Sequence, residues 1–170
     1  MKRIITVAVF TVLFCANGFA VDVKVKGTLR APACTLHPDD RDIDIDLSDI
    51  GSRDLYLGTT VDKEFILRLQ QCDFNYLTSV DITFDGTRSL TVPGALAIDA
   101  GSNASGFAIV IKDRSLQPIA LGNAIREPLT AADVNLTFYS NLVIEPDALA
   151  NNGVVPGAFT ASGIFTLTYP

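Results

Sequence analysis

An all-β sandwich is the fold class this sequence predicts, and three observations predict it. Apolar and polar residues alternate with a period of two in one short run after another. Clusters of Gly, Pro and Asn punctuate those runs at near-regular intervals. No stretch sustains a helical period, although Thr130–Asp133 has the makings of one turn. Short strands separated by turn signals form the pattern of two antiparallel sheets packed face to face.

The chain has 170 residues, enough for one domain that buries its own core. It opens on a cationic head, Met1-Lys2-Arg3, followed by the apolar run Ile4–Cys15. Ala16-Asn17-Gly18-Phe19-Ala20 then carries small residues at its last and third-last positions. This is the three-part pattern of a secretory signal peptide, and its apolar run is too short to span a bilayer. Residues 1–20 are therefore expected to be removed after Ala20. A lipid anchor on Cys15 wants a small residue before it, and Phe14 is large.

Removal of the leader takes Lys2 and Arg3 from the 13 basic residues, leaving 11 against 19 acidic and a net charge of −8. It also leaves two cysteines. An even pair in an exported chain reads as a disulfide, Cys34–Cys72. Closing a loop of about 40 residues contributes roughly 4 kcal/mol in the chain-entropy picture.

The strand candidates follow in order. In Val21–Arg30, Val21, Val23, Val25, Gly27 and Leu29 share one face, with Asp22, Lys24, Lys26, Thr28 and Arg30 opposite. Asp42–Leu47 alternates carboxylate and aliphatic side chains. Phe65–Leu69, Val80–Phe84, Phe107–Ile111 and Val134–Ile144 are further strands. Turns are expected at Asp85-Gly86, Pro93-Gly94, Gly101–Asn103, Leu121–Asn123 and Asn151–Gly153. The last fourteen residues, Gly157–Pro170, read as one more strand. Phe159, Ala161, Gly163, Phe165, Leu167 and Tyr169 lie on one face, and Thr160, Ser162, Thr166 and Thr168 on the other.

Chemistry has few candidates. An acidic chain lacks the electrostatic footprint of a nucleic-acid binder. His37 is the only histidine, has no partner for a metal site, and reads as a solvated loop residue. Asp40, Asp42, Asp44 and Asp46 suggest calcium, but the Gly and Glu that a calcium loop needs at its sixth and twelfth positions are missing. A solvated strand face explains them better. Asn103-Ala104-Ser105 and Asn135-Leu136-Thr137 match a glycosylation pattern common by chance. No Gly-x-Ser-x-Gly, phosphate loop or paired acid/base spacing occurs, so no catalytic residue, metal ligand or cofactor is assigned.

The two ends carry complementary problems. An apolar last strand leaves an edge that templates another strand. An alternating strand at a free terminus needs something to tie it down. Taken alone, the last strand fits the core of a complete sandwich equally well. Together with Ala31-Pro32-Ala33-Cys34, the second Cys after Phe65–Gln71, the Ala104–Ile109 and Leu121-Gly122 segments, and Gly157 and Tyr169 at the fourteenth and second positions from the end, the chain resembles the pilins of type 1 and P fimbriae, subunits of chaperone–usher pili.

That resemblance covers the whole mature chain. It implies an incomplete immunoglobulin-like sandwich lacking its last strand, completed in trans by a donor strand. Residues 1–20 are then the leader, 21–30 the donor extension and 31–170 the pilin domain. Val21, Val23, Val25 and Leu29 are the expected plugs, with Gly27 where the groove is too shallow for a side chain. Gly157, Phe159, Ala161, Phe165, Leu167 and Tyr169 are expected to form the groove and the strand bound by a chaperone or neighbour, with the Pro170 carboxylate meeting basic residues of the chaperone. The implied partners are a periplasmic chaperone, an outer-membrane usher and neighbouring subunits, on a route through the periplasm to the cell surface. A tip adhesin carries a further lectin domain, for which 150 residues leave no room, so an internal rod or minor subunit is expected. Gly51–Tyr56 is faintly similar to minor subunits of P-type pili. The competing function is a self-sufficient secreted sandwich binding carbohydrate or protein through its loops. The lack of Trp and the dispersal of four Tyr do not favour it.

Overall fold

In the computed structural model, which describes residues 34–47 and 50–170, the alternating runs become strands whose apolar faces meet in one core. In chain order these are β1 (Thr35–Leu36), β2 (Lys63–Gln70), β3 (Ser79–Gly86), β4 (Phe107–Lys112), β5 (Pro118–Ile119), β6 (Ala124–Pro128), β7 (Val134–Ile144) and β8 (Gly163–Thr168). One sheet runs β1-β2-β7-β4-β5 and the other β6-β3-β8. Every strand pairing is antiparallel.

Register follows from which face is apolar, because a one-residue slip would turn that face to solvent. Phe65 and Leu67 of β2 stand opposite Phe138 and Leu136 of β7, and all four are buried. From the facing sheet, β3 contributes Val80, Ile82 and Phe84. The Phe84 ring meets Phe138 edge-on, with centres 5.0 Å apart, and Phe65 edge-on at 6.0 Å. Phe65 and Phe138 are neighbours within their own sheet at 5.6 Å. Each such ring stabilises by roughly 1.5–3 kcal/mol through burial alone, so this trio holds the sheets together.

Two short helices cap the strands. In α1 (Ser52–Leu57), Leu55 is buried and Gly58 closes the helix in a left-handed conformation. In α2 (Pro146–Asn151), proline sits in the first turn and Asn152 closes it in the same way. The Val154 N–H donates to the Tyr56 hydroxyl at 3.0 Å, tying the end of α2 to α1. Six residues make fewer than two turns, too few to show a helical period. Thr130–Asp133, the one expected helical turn, is a bend.

Cys34 and Cys72 form the expected disulfide, with Cα atoms 4.2 Å apart across a sequence separation of 38. Beyond Cys34 the chain pairs briefly with β2, Thr35 opposite Gln70. It then enters a 3-10 turn, Pro38–Arg41, in which the Asp39 N–H donates to Nδ1 of His37. His37 is thus a half-buried cap rather than a solvated loop residue.

Asp40 also departs from expectation. Far from lying on a solvated face, it is 3% exposed. Its carboxylate accepts the backbone N–H of Arg68 at 2.6 Å and the Nε–H of Arg68 at 3.0 Å. A proline at the start of the turn rotates Asp40 onto β2, out of phase with Asp42, Asp44 and Asp46. Those three remain exposed.

Further differences concern the ladders. Asp42–Leu47 keeps alternating burial but belongs to no strand. Alternation needs only one buried face, whereas a ladder also needs a neighbour within reach. Asp85-Gly86 is the end of β3 rather than a turn. The single strand expected over Gly157–Pro170 pairs only over Gly163–Thr168. The short strands β1, β5 and β6 escape the sequence pattern because two to five residues barely alternate. The expected leader and the Val21–Arg30 strand lie outside the described residues.

Hydrogen bonds from Arg68 hold the Asp40 carboxyl below the usual carboxylate range. A carboxylate whose pKa is lower in the folded than the unfolded chain stabilises the fold above its unfolded pKa, about 3.9. That contribution is lost as pH falls through the folded value. Asp40→Asn is therefore expected to lower stability at pH 7 by about 1–3 kcal/mol. The gap to the native chain should shrink below about pH 4, as read by thermal unfolding across pH 2.5–7.

Candidate functional site

On the side of β8 the two sheets stand open. A groove of about 920 Å³ runs between Arg41–Leu47 on one side and Gly157–Phe165 on the other. Its floor is made by Phe65, Phe84, Leu96, Ile109, Ile111 and Ser140.

The first wall follows from the Asp-Ile repeat. Ile43 and Ile45 are half-buried against the core and Leu47 is fully buried, while the intervening carboxylates face water. The second wall has two parts. Residues 157–162 are held by the loop Asp99–Ala104 rather than by a strand. The Asn103 N–H donates to the Ala158 carbonyl at 2.8 Å and the Asp99 N–H to the Thr160 carbonyl at 2.8 Å. The Thr160 N–H in turn donates to Oγ of Ser102 at 3.1 Å. From Gly163 onward, β8 pairs with β3, placing Phe165 opposite Phe84 and Leu167 opposite Ile82.

Among the described residues, β8 has a strand neighbour on one side only. On the groove side, no described strand pairs with its backbone groups. Each unmet N–H or C=O beside an apolar surface is costly. The arrangement is a slot with an apolar floor and one hydrogen-bonding edge.

Of the residues expected at this site, Gly157, Phe159, Ala161 and Phe165 line the groove, together with Gly163. The Phe159 ring packs edge-on against Phe107 at 5.0 Å. Leu167 and Tyr169 continue the same face past the end of the groove and pack on the core. The Tyr169 hydroxyl is buried without a partner, and burial raises its pKa. Val21, Val23, Val25, Gly27 and Leu29 lie outside the described residues. Sequence reasoning missed the opposite wall, Ile43, Ile45 and Leu47, and the floor. The Asp-Ile alternation was the available signal, since an alternating run with no turn back to a partner marks a strand short of a neighbour.

Gly157 has a local reason to be glycine. A Cβ there would come within 3.1 Å of the Asn103 and Ala104 backbone. At Gly163 the nearest approach is an ordinary 3.4 Å to the Asp85 carbonyl. Among the described residues, no group of three or more His, Cys, Asp or Glu is placed to hold a metal ion.

Residues 23–170 match the family model described as Fimbrial protein. The chain is 34% identical to Fimbria A protein of Serratia marcescens over 148 residues, covering 86% of this chain and 83% of that one. It is 30% identical to the fimbrial adapter PapK of Escherichia coli over 168 residues, 94% of each. In three dimensions it is similar to the crystal structure of the P pilus rod subunit PapA, with a TM-score of 0.66 and 18% identity. That likeness covers 82% of this chain and all of the other.

Gly157→Val is expected to push the first half of the second wall off the Asp99–Ala104 loop and cost about 1–3 kcal/mol. Gly163→Ala should cost under about 1 kcal/mol, since its Cβ meets only ordinary contacts. Denaturant unfolding of the two variants side by side checks the contrast.

Proposed function

The chain belongs to the fimbrial protein family and is a structural subunit of a surface pilus, and we propose that it joins its neighbours by donor-strand exchange through the groove beside β8. The observation that carries this reading is the coincidence of two deficits in one place: a groove open over an apolar floor and, among the described residues, a strand edge with no neighbour. A strand laid into the slot relieves both at once, its main chain adding to the β8 ladder and its alternate side chains filling the floor.

The proposed donor is the Val21–Arg30 extension of an adjoining subunit. Val21, Val23, Val25 and Leu29 supply a side chain at every second position, matching the period with which a strand meets one surface. Burial of four such aliphatics contributes on the order of 6–12 kcal/mol before ordering costs. Gly27 breaks that row and is assigned to the shallowest part of the groove. The groove wall of about nine extended residues spans roughly 30 Å, close to the reach of a ten-residue extension.

Before assembly the same slot would expose an aggregation-prone edge. We assign its earlier occupant to a periplasmic chaperone strand, exchanged at an outer-membrane usher for the next subunit's extension. The chain thus passes through the periplasm to an extracellular fibre. Its place in that fibre is internal, with Gly157, Phe159, Ala161, Phe165, Leu167 and Tyr169 receiving one neighbour and the extension reaching the other.

Two measurements test this. Refolded Ala31–Pro170 should gain about 5–10 °C in unfolding midpoint with saturating Val21–Arg30 peptide, the shift expected of a ligand at about 100 times its Kd. A cooperative, stable domain indifferent to that peptide and to other pilin extensions would mean a sandwich complete without a donor. Phe165→Asp places a charge in the apolar wall of the groove. It should remove the peptide response and deplete the subunit from the periplasm, whereas unchanged periplasmic yield would count against the assigned wall.

A further inference from the structure

Charge is divided unevenly along this chain. Residues 21–30 hold three basic side chains, Lys24, Lys26 and Arg30, against Asp22, a net of +2. Residues 31–170 hold 8 basic against 18 acidic, a net of −10. A basic arm is thus attached to an acidic body.

The groove localises that contrast. Asp42 and Asp44 alternate with the groove-facing Ile43 and Ile45 and point to water along the rim of the first wall. Arg41, at the start of this wall, is its one cation over residues 41–47. The outward side chains of the other wall, Thr160, Ser162, Thr166 and Thr168, are exposed and neutral. An occupant of the slot therefore meets an acidic rim on one side only. An occupant running beside residues 42–47 would present its outward side chains to that rim with the same two-residue spacing, the arrangement in which cross-strand charges pair.

Resting on the donor-strand reading, we propose that the groove's preferred occupant is the Val21–Arg30 segment of a second copy of this chain, selected by Lys24, Lys26 and Arg30 against the Asp42–Asp44 rim. The apolar face supplies most of the affinity and fits many alternating strands alike. The polar face distinguishes them: a donor with acidic outward residues sets like charges side by side, and one with basic residues does not. Selection of this kind works at the solvated rim and is screened by salt.

The test uses the full exported chain and two fluorescent peptides. One is Val21–Arg30 and the other carries K24E, K26E and R30E, with the apolar face unchanged. Near 50 mM salt the native peptide should bind about tenfold tighter than its acidic twin. The preference should fade near 1 M salt, where the screening length is only about 3 Å. In the D42K/D44K chain the preference should reverse, and in the milder D42N/D44N chain it should vanish. Light scattering of the chain alone should show association that rises with concentration. Equal binding of both peptides at low salt overturns charge selection and leaves the donor-strand reading standing. A chain that stays monomeric and refuses both peptides overturns the second copy as occupant. The V23D/V25D chain, unable to fill its own groove, then separates two causes. If it accepts the native peptide, the segment closes its own groove; if it accepts neither, the donor-strand reading falls as well.

Discussion

A strand edge cannot be left unpaired beside an apolar surface without cost, and this molecule is arranged around that constraint. The edge of β8 and the floor formed by Phe65, Phe84, Leu96 and Ile109 lie together. Most sandwiches meet such a constraint with one more strand from their own chain. Here the Phe65–Phe84–Phe138 trio packs the two sheets together, and among the described residues β8 still has a neighbour on one side only. The fold is thereby defined well enough to hold a slot open and incompletely enough to need an occupant. In the proposed donor-strand exchange, assembly and completion of the core become one event.

The two walls of the slot are fixed by unrelated means. The first is anchored at its base by the Cys34–Cys72 disulfide and the Asp40–Arg68 pair, which bind the chain to β2 just before the Asp-Ile repeat. The second is anchored by backbone hydrogen bonds to the Asp99–Ala104 loop, then by the β3 ladder. Neither wall depends on the other. In the proposed exchange, walls anchored in this way would not depend on the occupant to hold their places.

Much of this is legible in the sequence. The strands β2, β3, β4 and β7 follow from period-two alternation, and β7 matches its expected bounds, Val134–Ile144. The cysteine pair follows from export and an even count. What escapes is set by tertiary partners. Asp40 reads as the first rung of a solvated ladder, but the 3-10 turn swings it onto Arg68, 28 residues away. Gly157–Ser162 has the alternation of a strand and takes its hydrogen bonds from a loop, because alternation reports a buried face and says nothing of the neighbour. The same ambiguity hides the Asp42–Leu47 wall. Helices of six residues are too short for any period to register.

The disulfide also decides how the molecule carries a load. A pull on residues ahead of Cys34 meets the body at a covalent bond to Cys72, immediately after β2. The two-residue β1 ladder is thus not the link that bears the tension. Force passes into β2, which lies inside its sheet and is paired with β7 from Lys63 to Leu69. The covalent link, and not the two-residue β1 ladder, thus ties that pull to the longer β2–β7 ladder.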